Sequence, residues 1–426
     1  MRESPGEKIV YRNIHRQDGH RLAVARERGA YAAAQKALGM SSEAVIDEVK
    51  KSNLRGRGGA GFPAGMKWSF IPKDASRPHY LICNADEGEP GTCKDREILR
   101  HDPHLLIEGM LIAAWAVKAE RGFIYIRGEF YQEAERLQQA VDDAVAAGLL
   151  GDDCLGSGFR FHLTVHRGAG AYVCGEETGL IESLEGKKGQ PRLKPPFPAN
   201  VGLYDCPTVI NNVETLAAVP AILERGGEWY AGLGVPKSNG TKVFSVSGHV
   251  VRPGNYEVPL GIPLRSLIDD FAGGVRGGWE NLKGVIPGGS STPVLRAEVC
   301  ATITMDYEAL AKAGSMLGAG SVIVMDRSVC IVRAIARLSR FYRHESCGQC
   351  TPCREGTGWL AQVMGRLEAG QGNPGDVDLL KDICGNMSGK TICALGDAAA
   401  MPVAGAIRAF PEEFDYHIRH GRCMVG

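Results

Sequence analysis

Residues 79–90 of this chain read HYLICNADEGEP, and this stretch decides how the fold begins. Residues 79–83 predict a short β-strand, which runs directly into the acidic loop of residues 84–90. Because ligands of α/β sheets bind beyond the carboxyl ends of the strands, the three carboxylates of this loop form a candidate ligand site. Composition alone favours the other interpretation, a solvated acidic turn.

A glycine-rich loop, RGRGGAGFP at residues 55–63, precedes the strand. Its glycines Gly56, Gly58 and Gly61 match G-x-G-x-x-G, a spacing that lets backbone N–H groups approach a phosphate. A Rossmann fingerprint follows a strand, whereas here a serine-capped helix is predicted before the loop, with its apolar face formed by Val45, Ile46 and Val49. The loop alone is equally compatible with phosphate binding and with a structural turn.

Strand and helix patterns alternate from the acidic loop to about residue 230, which predicts an α/β layer domain. The predicted helices cover 105–118, 176–184 and 213–223, with a fourth on the stripe Ala134, Leu137, Val141 and Val145. The predicted strands are 123–126 and one containing Phe159, Phe161, Leu163 and Val165. Residues 176–177 are two glutamates at a predicted helix start, where acidic side chains are favoured without any ligand.

The second half of the chain predicts a small β module and then a helical bundle. The β module is indicated by a hairpin at 242–250 and 255–258, a short helix at 264–271 and strands at 282–286 and 321–325. From Val329 onwards three apolar stripes at helical spacing predict the bundle. These stripes are Ile331, Ile335, Leu338 and Tyr342; Leu360, Val363, Met364 and Leu367; and Leu379, Leu380 and Ile383.

The composition argues against a nucleic-acid-binding, membrane-spanning or secreted protein. Of the 426 residues, 49 are Lys or Arg and 49 are Asp or Glu, which argues against a surface built for nucleic acid or an anionic membrane. The most apolar stretch, residues 105–117, contains Glu108 and is shorter than the roughly 20 residues that span a bilayer. The charged first twenty residues are unlike a signal peptide.

Cysteine is abundant, with 13 in the chain, and one group is clustered. Clustered thiols without a secretory signal indicate metal or redox chemistry rather than disulfides. Cys347, Cys350 and Cys353 are spaced as ligands of an iron–sulfur cubane, which needs a fourth thiolate from elsewhere; a zinc site is the alternative. Cys393, between two glycines, is the preferred fourth ligand, because Cys384 lies on an apolar helix stripe and Cys423 lies in the C-terminal tail.

Eight motifs occur in order along the chain, and together they resemble the NADH-binding flavoprotein subunit of respiratory complex I. The motifs are RGRGGAGFP at 55–63, NADE at 84–87, EPG at 89–91, KDR at 94–96, YVCGEET at 172–178, PRLKPPFP at 191–198, NNVET at 211–215 and ESCGQCTPCR at 345–354. The resemblance implies an N-terminal helical region (1–55), a Rossmann-like domain for FMN and NADH (56–232), a ubiquitin-like β-grasp module (233–328) and a helical bundle with a [4Fe–4S] cluster (329–426).

The resemblance also implies the residues that contact each cofactor. The expected FMN contacts are Gly56, Gly58, Lys67, Asn84, Asp86, Glu87, Tyr172, Gly175, Glu176, Asn211 and Asn212. For NADH, the adenine would lie between Phe62, Phe70 and Phe197, the ribose near Glu177 and Lys194, and the nicotinamide end near Glu89. No catalytic acid or base is expected, because hydride transfer to a flavin needs none.

The implied function is oxidation of NADH, with electrons passing through FMN and the cluster toward quinone. The implied partners are a thioredoxin-like [2Fe–2S] subunit and a larger iron–sulfur subunit of the peripheral arm. Membrane contact would come only through other subunits, on the cytoplasmic side of the inner membrane.

Two other functions share some of these features. The diaphorase subunit of an NAD-linked hydrogenase or formate dehydrogenase shares the motifs but often carries an added N-terminal iron–sulfur domain, for which the roughly fifty residues before the glycine loop are too few. An electron relay with the cluster alone would explain the three cysteines but not the acidic and aromatic residues upstream.

Overall fold

The computed structural model describes residues 7–73 and 76–425, and a parallel four-stranded sheet organises the first half of the chain. The strand order is β3-β2-β1-β4. The strands are β1 (His79–Ala85), β2 (Ala119–Ile126), β3 (His162–Arg167) and β4 (Thr208–Asn212). All three pairings are parallel, so helical connections cover the sheet, as the alternating sequence pattern predicted.

Helices surround this sheet. They are α1 (Leu22–Arg26), α2 (Ala32–Leu38), α3 (Ser42–Lys51), α4 (Ala64–Ser69), α5 (Lys94–His101), α6 (Pro103–Val117), α7 (Tyr131–Ala146), α8 (Glu177–Leu184), α9 (Val213–Arg225) and α10 (Gly227–Ala231). The predicted serine cap of α3 is Ser41, whose side chain accepts a hydrogen bond from Ala44 N. In α6 every residue except Trp115 is buried, which confirms a core helix rather than a membrane segment.

The two faces of β1 serve different cores, because successive side chains of a strand point to opposite sides. Leu81 and Cys83 pack with the N-terminal helices and α6. Ile82 packs with α8 and with the C-terminal helices. The sheet therefore lies between two hydrophobic layers, and its carboxyl edge lies where they meet.

The structure corrects four details of the sequence-based prediction. The first strand runs on to Ala85, so the acidic loop begins two residues later than predicted, at Asp86. Strand β3 begins at His162; Phe159 lies outside it, and Phe161 forms only an isolated bridge to Gly151. Val145 and Leu379 are 49% and 42% exposed, because each lies at the edge of its apolar stripe, on the solvent side of its helix.

The small module is a five-stranded mixed sheet with the order β10-β9-β11-β7-β8. Its elements are β7 (Thr241–Gly248), β8 (Gly254–Pro259), α11 (Leu264–Ser266), β9 (Leu282–Ile286), β10 (Leu295–Arg296), α12 (Ala297–Cys300), α13 (Tyr307–Lys312) and β11 (Ser321–Asp326), preceded by the short pair β5 (Gly234–Val235) and β6 (Ser238–Asn239). The predicted hairpin is present as the antiparallel pair β7 and β8. Helix α11 continues as a π-helical turn, Leu267–Phe271, and packs on the sheet as a β-grasp module requires.

The C-terminal part of the described chain is a helical bundle, as predicted, and it has five helices where the sequence showed three apolar stripes. They are α14 (Ile331–Glu345), α15 (Thr351–Glu368), α16 (Asp376–Met387), α17 (Leu395–Ala409) and α18 (Pro411–His420). No helix among the described residues is long and apolar enough to cross a membrane.

One carboxylate ties the start of the described chain to the small module. Glu257, on β8, accepts hydrogen bonds from the backbone N–H groups of Ile9, Val10 and Tyr11 at 2.9, 3.1 and 2.8 Å. The predicted N-terminal region, residues 1–55, therefore does not stand apart, although its residues 1–6 lie outside the described part of the chain.

Candidate functional site

The strand order creates a crevice at one edge of the sheet. The chain moves outward from β1 to β2 and β3, and then returns to the other side of β1 with β4. Connections on opposite sides of two neighbouring parallel strands leave an open crevice at their carboxyl ends, where ligands bind. Asn84 and Asn212 stand opposite each other at this point in the register of β1 and β4.

The glycine loop lies beside this crevice. Arg57 N donates to Thr215 Oγ1 at 2.8 Å, so the loop is tied to the first turn of α9. A Cβ on Gly58 would lie 3.1 Å from Asn212 Cβ, so glycine permits this close approach to the end of β4. The loop thus reaches a strand-to-helix junction from a different part of the sequence, which explains why its pattern follows a helix and not a strand.

Asp86 offers the crevice a buried acceptor. Its Oδ2 has no hydrogen-bond partner within the described chain, and such a buried polar atom calls for a ligand or an ordered water. Burial raises the pKa of Asp86 to about 7, against the lowering effect of Arg127. Asn84 Nδ2 donates to the Gly175 carbonyl at 2.8 Å and fixes the opposite wall.

The side chain of Glu87, which is also an expected FMN contact, accepts hydrogen bonds from the start of α5. Its two carboxylate oxygens accept the backbone N–H groups of Lys94, Asp95 and Arg96 at 2.8, 2.8 and 3.0 Å, which caps the start of α5. Burial and the neighbouring Asp95 raise the pKa of Glu87. Its side chain therefore holds α5 in place at the edge of the crevice.

Glu89 joins three parts of the molecule. Its Oε2 accepts from the Tyr172 hydroxyl at 2.6 Å, and its Oε1 accepts from Ser291 N at 2.8 Å and from the Ser290 hydroxyl at 3.2 Å. Burial, together with Glu89, raises the pKa of Tyr172 well above its ordinary value, so the phenol remains a neutral donor. The Ser290 hydroxyl also meets the Tyr342 hydroxyl of α14 at 2.8 Å.

A chain of opposite charges crosses the start of α8. Lys67 pairs with Glu177 at 2.8 Å, and Lys194 pairs with Glu177 at 2.9 Å and with Glu176 at 2.8 Å. Burial alone would raise the pKa of Glu177, but the two lysines lower it to about 2. Glu176 is the N-cap of α8 and accepts from Thr178 N and Gly179 N. The four side chains carry no net charge.

The three phenylalanines expected at the adenine are all exposed. Phe62, Phe70 and Phe197 are 46%, 50% and 55% exposed. The rings of Phe62 and Phe70 lie 6.0 Å apart and are tilted by 48°. Phe62 and Phe70 are therefore a pair of exposed aromatic rings, a feature typical of a stacking site for a planar ligand.

The four cysteines expected to bind iron lie in two connections of the bundle. Cys347 and Cys350 lie between α14 and α15, Cys353 is in the first turn of α15, and Cys393 precedes α17. Burial raises the pKa of Cys393 to about 12, and negative charge on Glu176, Cys353 and Cys347 acts in the same direction. Cys353 and Cys393 thus both lie near the N-terminus of a helix, where a negatively charged group is favoured.

The competing interpretations of these cysteines differ in geometry. Cys384 is buried and its thiol points to the Ala400 carbonyl at 3.5 Å, which is a packing role. Among the described residues, one set of three possible metal-ligand atoms lies within 4.8 Å of one another. This set contains neither the three clustered cysteines nor Cys393.

Asn211 and Asn212, whose roles the sequence could not separate, differ in the structure. Asn211 Oδ1 accepts from the Trp68 indole N–H at 2.8 Å. Asn212 Oδ1 caps α9 by accepting from Glu214 N at 3.0 Å, and its amide donates to Asp95 at 2.7 Å.

Sequence reasoning missed several residues of this site. They are Trp68, Ser290, Ser291, Tyr307 and Tyr342, of which Tyr307 donates its hydroxyl to the Gly56 carbonyl at 3.0 Å. The GGSST stretch at 288–292, between two predicted strands, was the one visible signal. The others look like core aromatics until the domains are placed together.

Comparisons with known proteins give a consistent assignment. Residues 49–221 match the Nuo51 FMN-binding domain, residues 242–324 match the SLBB domain, and residues 333–417 match the NADH-ubiquinone oxidoreductase-F iron-sulfur binding region. The F subunit of NADH-quinone oxidoreductase from Rickettsia bellii (strain OSU 85-389) is 56% identical over 97% of this chain and 99% of its own length. The Rickettsia felis protein of the same name is 57% identical over 97% and 98%.

A solved structure is also similar. A chain of the NAD⁺-reducing [NiFe]-hydrogenase in the H2-reduced state superposes with a TM-score of 0.83 at 38% identity, covering 92% of this chain. This chain spans 65% of the length of that hydrogenase chain.

Iron content tests the assignment of Cys393. Replacing Cys347, Cys350, Cys353 or Cys393 with Ser should each remove the cluster, because a cubane needs four protein thiolates. Cys384→Ser is the matched control, a buried thiol of the same bundle, and should keep full iron. Iron retained by Cys393→Ser but lost by Cys384→Ser would reverse the assignment.

Asp86→Asn should change stability and FMN binding in opposite directions. A carboxyl pKa raised from about 4 to about 7 means that the folded chain binds more protons than the unfolded chain in that range, so stability falls as pH rises through it. At pH ~8 the variant should therefore be more stable than the wild type, with a free energy of unfolding higher by up to a few kcal/mol and a higher melting temperature. Near pH ~5 the difference should be smaller.

The same variant should bind FMN at least ~10-fold more weakly if the free oxygen contacts the cofactor. Asp378→Asn is the control, since its side chain is 86% exposed, and it should change neither property. Unchanged FMN affinity in Asp86→Asn would remove this carboxylate from the flavin site.

Proposed function

This chain belongs to the family of NADH-quinone oxidoreductase F subunits, and on that premise we propose that it oxidises NADH at the crevice between β1 and β4 and delivers electrons to a [4Fe–4S] cluster in the bundle. The observation that carries the proposal is that one segment, residues 172–177, contacts both the crevice and the cysteine-bearing end of the bundle. Tyr172 N donates to Glu345 beside the cysteine triplet at 3.1 Å, and its hydroxyl donates to Glu89 in the crevice.

Bound FMN supplies the step between a two-electron donor and a one-electron acceptor, because it takes up a hydride and gives up electrons singly. The glycine loop, through Gly56 and Gly58, and Lys67 would hold the phosphate end. Asn84, Asp86, Glu87, Tyr172, Gly175, Glu176, Asn211 and Asn212 would surround the rest. The fit is supported by the free Oδ2 of Asp86 and by the close approach that Gly58 permits.

The remaining residues would orient NADH. Phe62, Phe70 and Phe197 provide exposed rings for the adenine, while Glu177 and Lys194 lie where the ribose is proposed. Glu89 would meet the nicotinamide end, and it is held by Tyr172, Ser290 and Ser291. These residues position the substrate and exclude water; none is required to move a proton.

The diaphorase of a hydrogenase remains the second candidate, and the structural similarity to the NAD⁺-reducing [NiFe]-hydrogenase favours it. The two Rickettsia proteins match this chain at higher identity and along nearly their whole length, however. The complex I function is therefore better supported.

We further propose that the chain works in the peripheral arm of complex I, beside a thioredoxin-like [2Fe–2S] subunit and a larger iron–sulfur subunit. Its membrane contact would come through other subunits, on the cytoplasmic side. This proposal is supported by the similarity to the F subunits of NADH-quinone oxidoreductase.

Rapid mixing tests the proposed function directly. FMN-loaded protein mixed anaerobically with NADH should lose its oxidised-flavin absorbance, and Glu89→Gln should slow this loss by at least ~10-fold, since a charged hydrogen-bonding partner contributes about 1.5–3 kcal/mol. Glu129→Gln, at a half-exposed carboxylate, is the control and should react at the wild-type rate. A protein that holds FMN but is not reduced by NADH would refute the proposal.

Glu177→Gln should shift coenzyme preference toward NADPH. The substitution leaves Lys67 without this carboxylate and Lys194 paired with Glu176 alone. The four side chains then carry one net positive charge, which attracts the extra phosphate of NADPH. The kcat/KM ratio of NADPH to NADH should rise about tenfold, equivalent to about 1.4 kcal/mol.

Glu182→Gln, on the same helix and paired with Arg192, is the matched control for this effect. It should leave the ratio unchanged. If Glu177→Gln leaves the ratio unchanged as well, Glu177 does not lie at the ribose.

A further inference from the structure

A second group of metal-binding atoms lies at the far end of α14 from the cysteine triplet. Cys330, His417 and Cys423 each offer one ligand atom, and these atoms all lie within 4.8 Å of one another. Cys330 directly precedes α14, whereas Cys347 follows its end. The 15 residues of α14 separate the two places by about 22 Å, at about 1.5 Å per residue. The group therefore does not belong to the proposed iron–sulfur site.

The histidine of this group is oriented as metal-bound histidines are. Its Nδ1 lies 2.9 Å from the Leu367 carbonyl, which can only accept, so Nδ1 carries the proton. The lone pair of Nε2 is then directed at Cys330 Sγ, 3.2 Å away. Metal-binding histidines commonly donate the other ring N–H to a backbone carbonyl, which fixes the ring and its tautomer.

Both sulfur atoms accept backbone hydrogen bonds. Cys330 Sγ accepts from Arg333 N at 3.3 Å in the first turn of α14, and Cys423 Sγ accepts from Val425 N at 3.4 Å. A helix N-terminus stabilises a thiolate, which is the form that binds a metal. The thiol of Cys384, which is buried in the same bundle, points to a backbone carbonyl instead.

We propose that Cys330, His417 and Cys423 bind one zinc ion. Two sulfur ligands and one imidazole nitrogen suit tetrahedral zinc, and two thiolates neutralise its charge at a largely buried place. The two thiol protons leave as the ion enters. The nearby Glu413 is already bound to Ile331 N at 2.9 Å and to Lys283 at 2.6 Å, so water takes the fourth position.

A zinc ion at this place would connect the segment after α18 to the start of α14. Cys423 follows α18, so a shared ion fastens residues 421–425 to the start of α14. The ion would thus join the first and last helices of the bundle. This role is independent of NADH oxidation, because none of the three ligands contacts the crevice residues named above.

Metal analysis of the FMN- and cluster-loaded protein tests the proposal. Protein purified under reducing conditions and supplied with Zn²⁺ should hold one zinc per chain beyond its iron. X-ray absorption at the zinc edge should show two sulfur neighbours at about 2.3 Å and nitrogen or oxygen neighbours at about 2.0–2.1 Å. Removing the zinc with a chelator should leave iron and flavin in place and expose the C-terminal residues to carboxypeptidase.

Variants distinguish this site from ordinary packing. Cys330→Ser, His417→Asn and Cys423→Ser should each lose zinc while keeping iron and FMN, which also shows that they fold. Cys384→Ser should keep zinc, iron and FMN. Cys423→Ser, at the most accessible ligand, remains informative even if the two buried variants do not fold.

Three results would overturn the proposal. The first is a zinc content no higher in the wild type than in Cys423→Ser. The second is a Cys330–Cys423 disulfide, found by mass spectrometry, in protein purified under reducing conditions. The third is a zinc edge that shows no sulfur neighbours.

Discussion

A buried ammonium group holds the carboxyl edge of the parallel sheet together. Lys94 is 1% exposed, and its Nζ lies 2.7 Å from Asp95 and 2.8 Å from Glu214. Asp95 belongs to α5, which follows β1, and Glu214 belongs to α9, which follows β4. Asn212 completes the group by donating to Asp95 at 2.7 Å. The two strands that border the crevice are thus fixed to each other through the helices that continue them.

Burying such a network of charges costs free energy, so it fixes the positions of the helices more than it stabilises the fold. Burial alone would raise the pKa of Glu214, but Lys242, Lys94 and Arg57 together lower it, so the carboxylate stays charged. Lys242 comes from β7 of the small module, and burial lowers its pKa to about 8. One carboxylate therefore binds the α/β domain to the next domain. Removing Glu214 would leave the buried Lys242 without its carboxylate partner and would break the connection between the two domains.

Periodicity in the sequence predicted most elements of the fold, because burial on one face leaves a visible pattern in each strand and helix. The limits of this approach are clear at particular residues. Val145 and Leu379 sit at the margins of their apolar stripes, and spacing alone cannot say where a margin meets solvent. Ser290 and Tyr342 belong to the site only because three domains meet at Glu89. Contacts of this kind depend on domain placement, which leaves no local signal in the sequence.

Contacts between distant segments also explain why the sequence assigns Cys423 only to a C-terminal tail. The role of Glu176 depends on such contacts as well. The carboxylate of Glu176 caps α8, pairs with Lys194 at the proposed nucleotide site, and contributes negative charge that raises the pKa of Cys393 in the bundle. An acid at a helix start is ordinary by itself. Here the same charge acts on both proposed sites, so their electrostatics are coupled. Neutralising Lys194 would leave Glu176 uncompensated and would make the surroundings of Cys393 more negative.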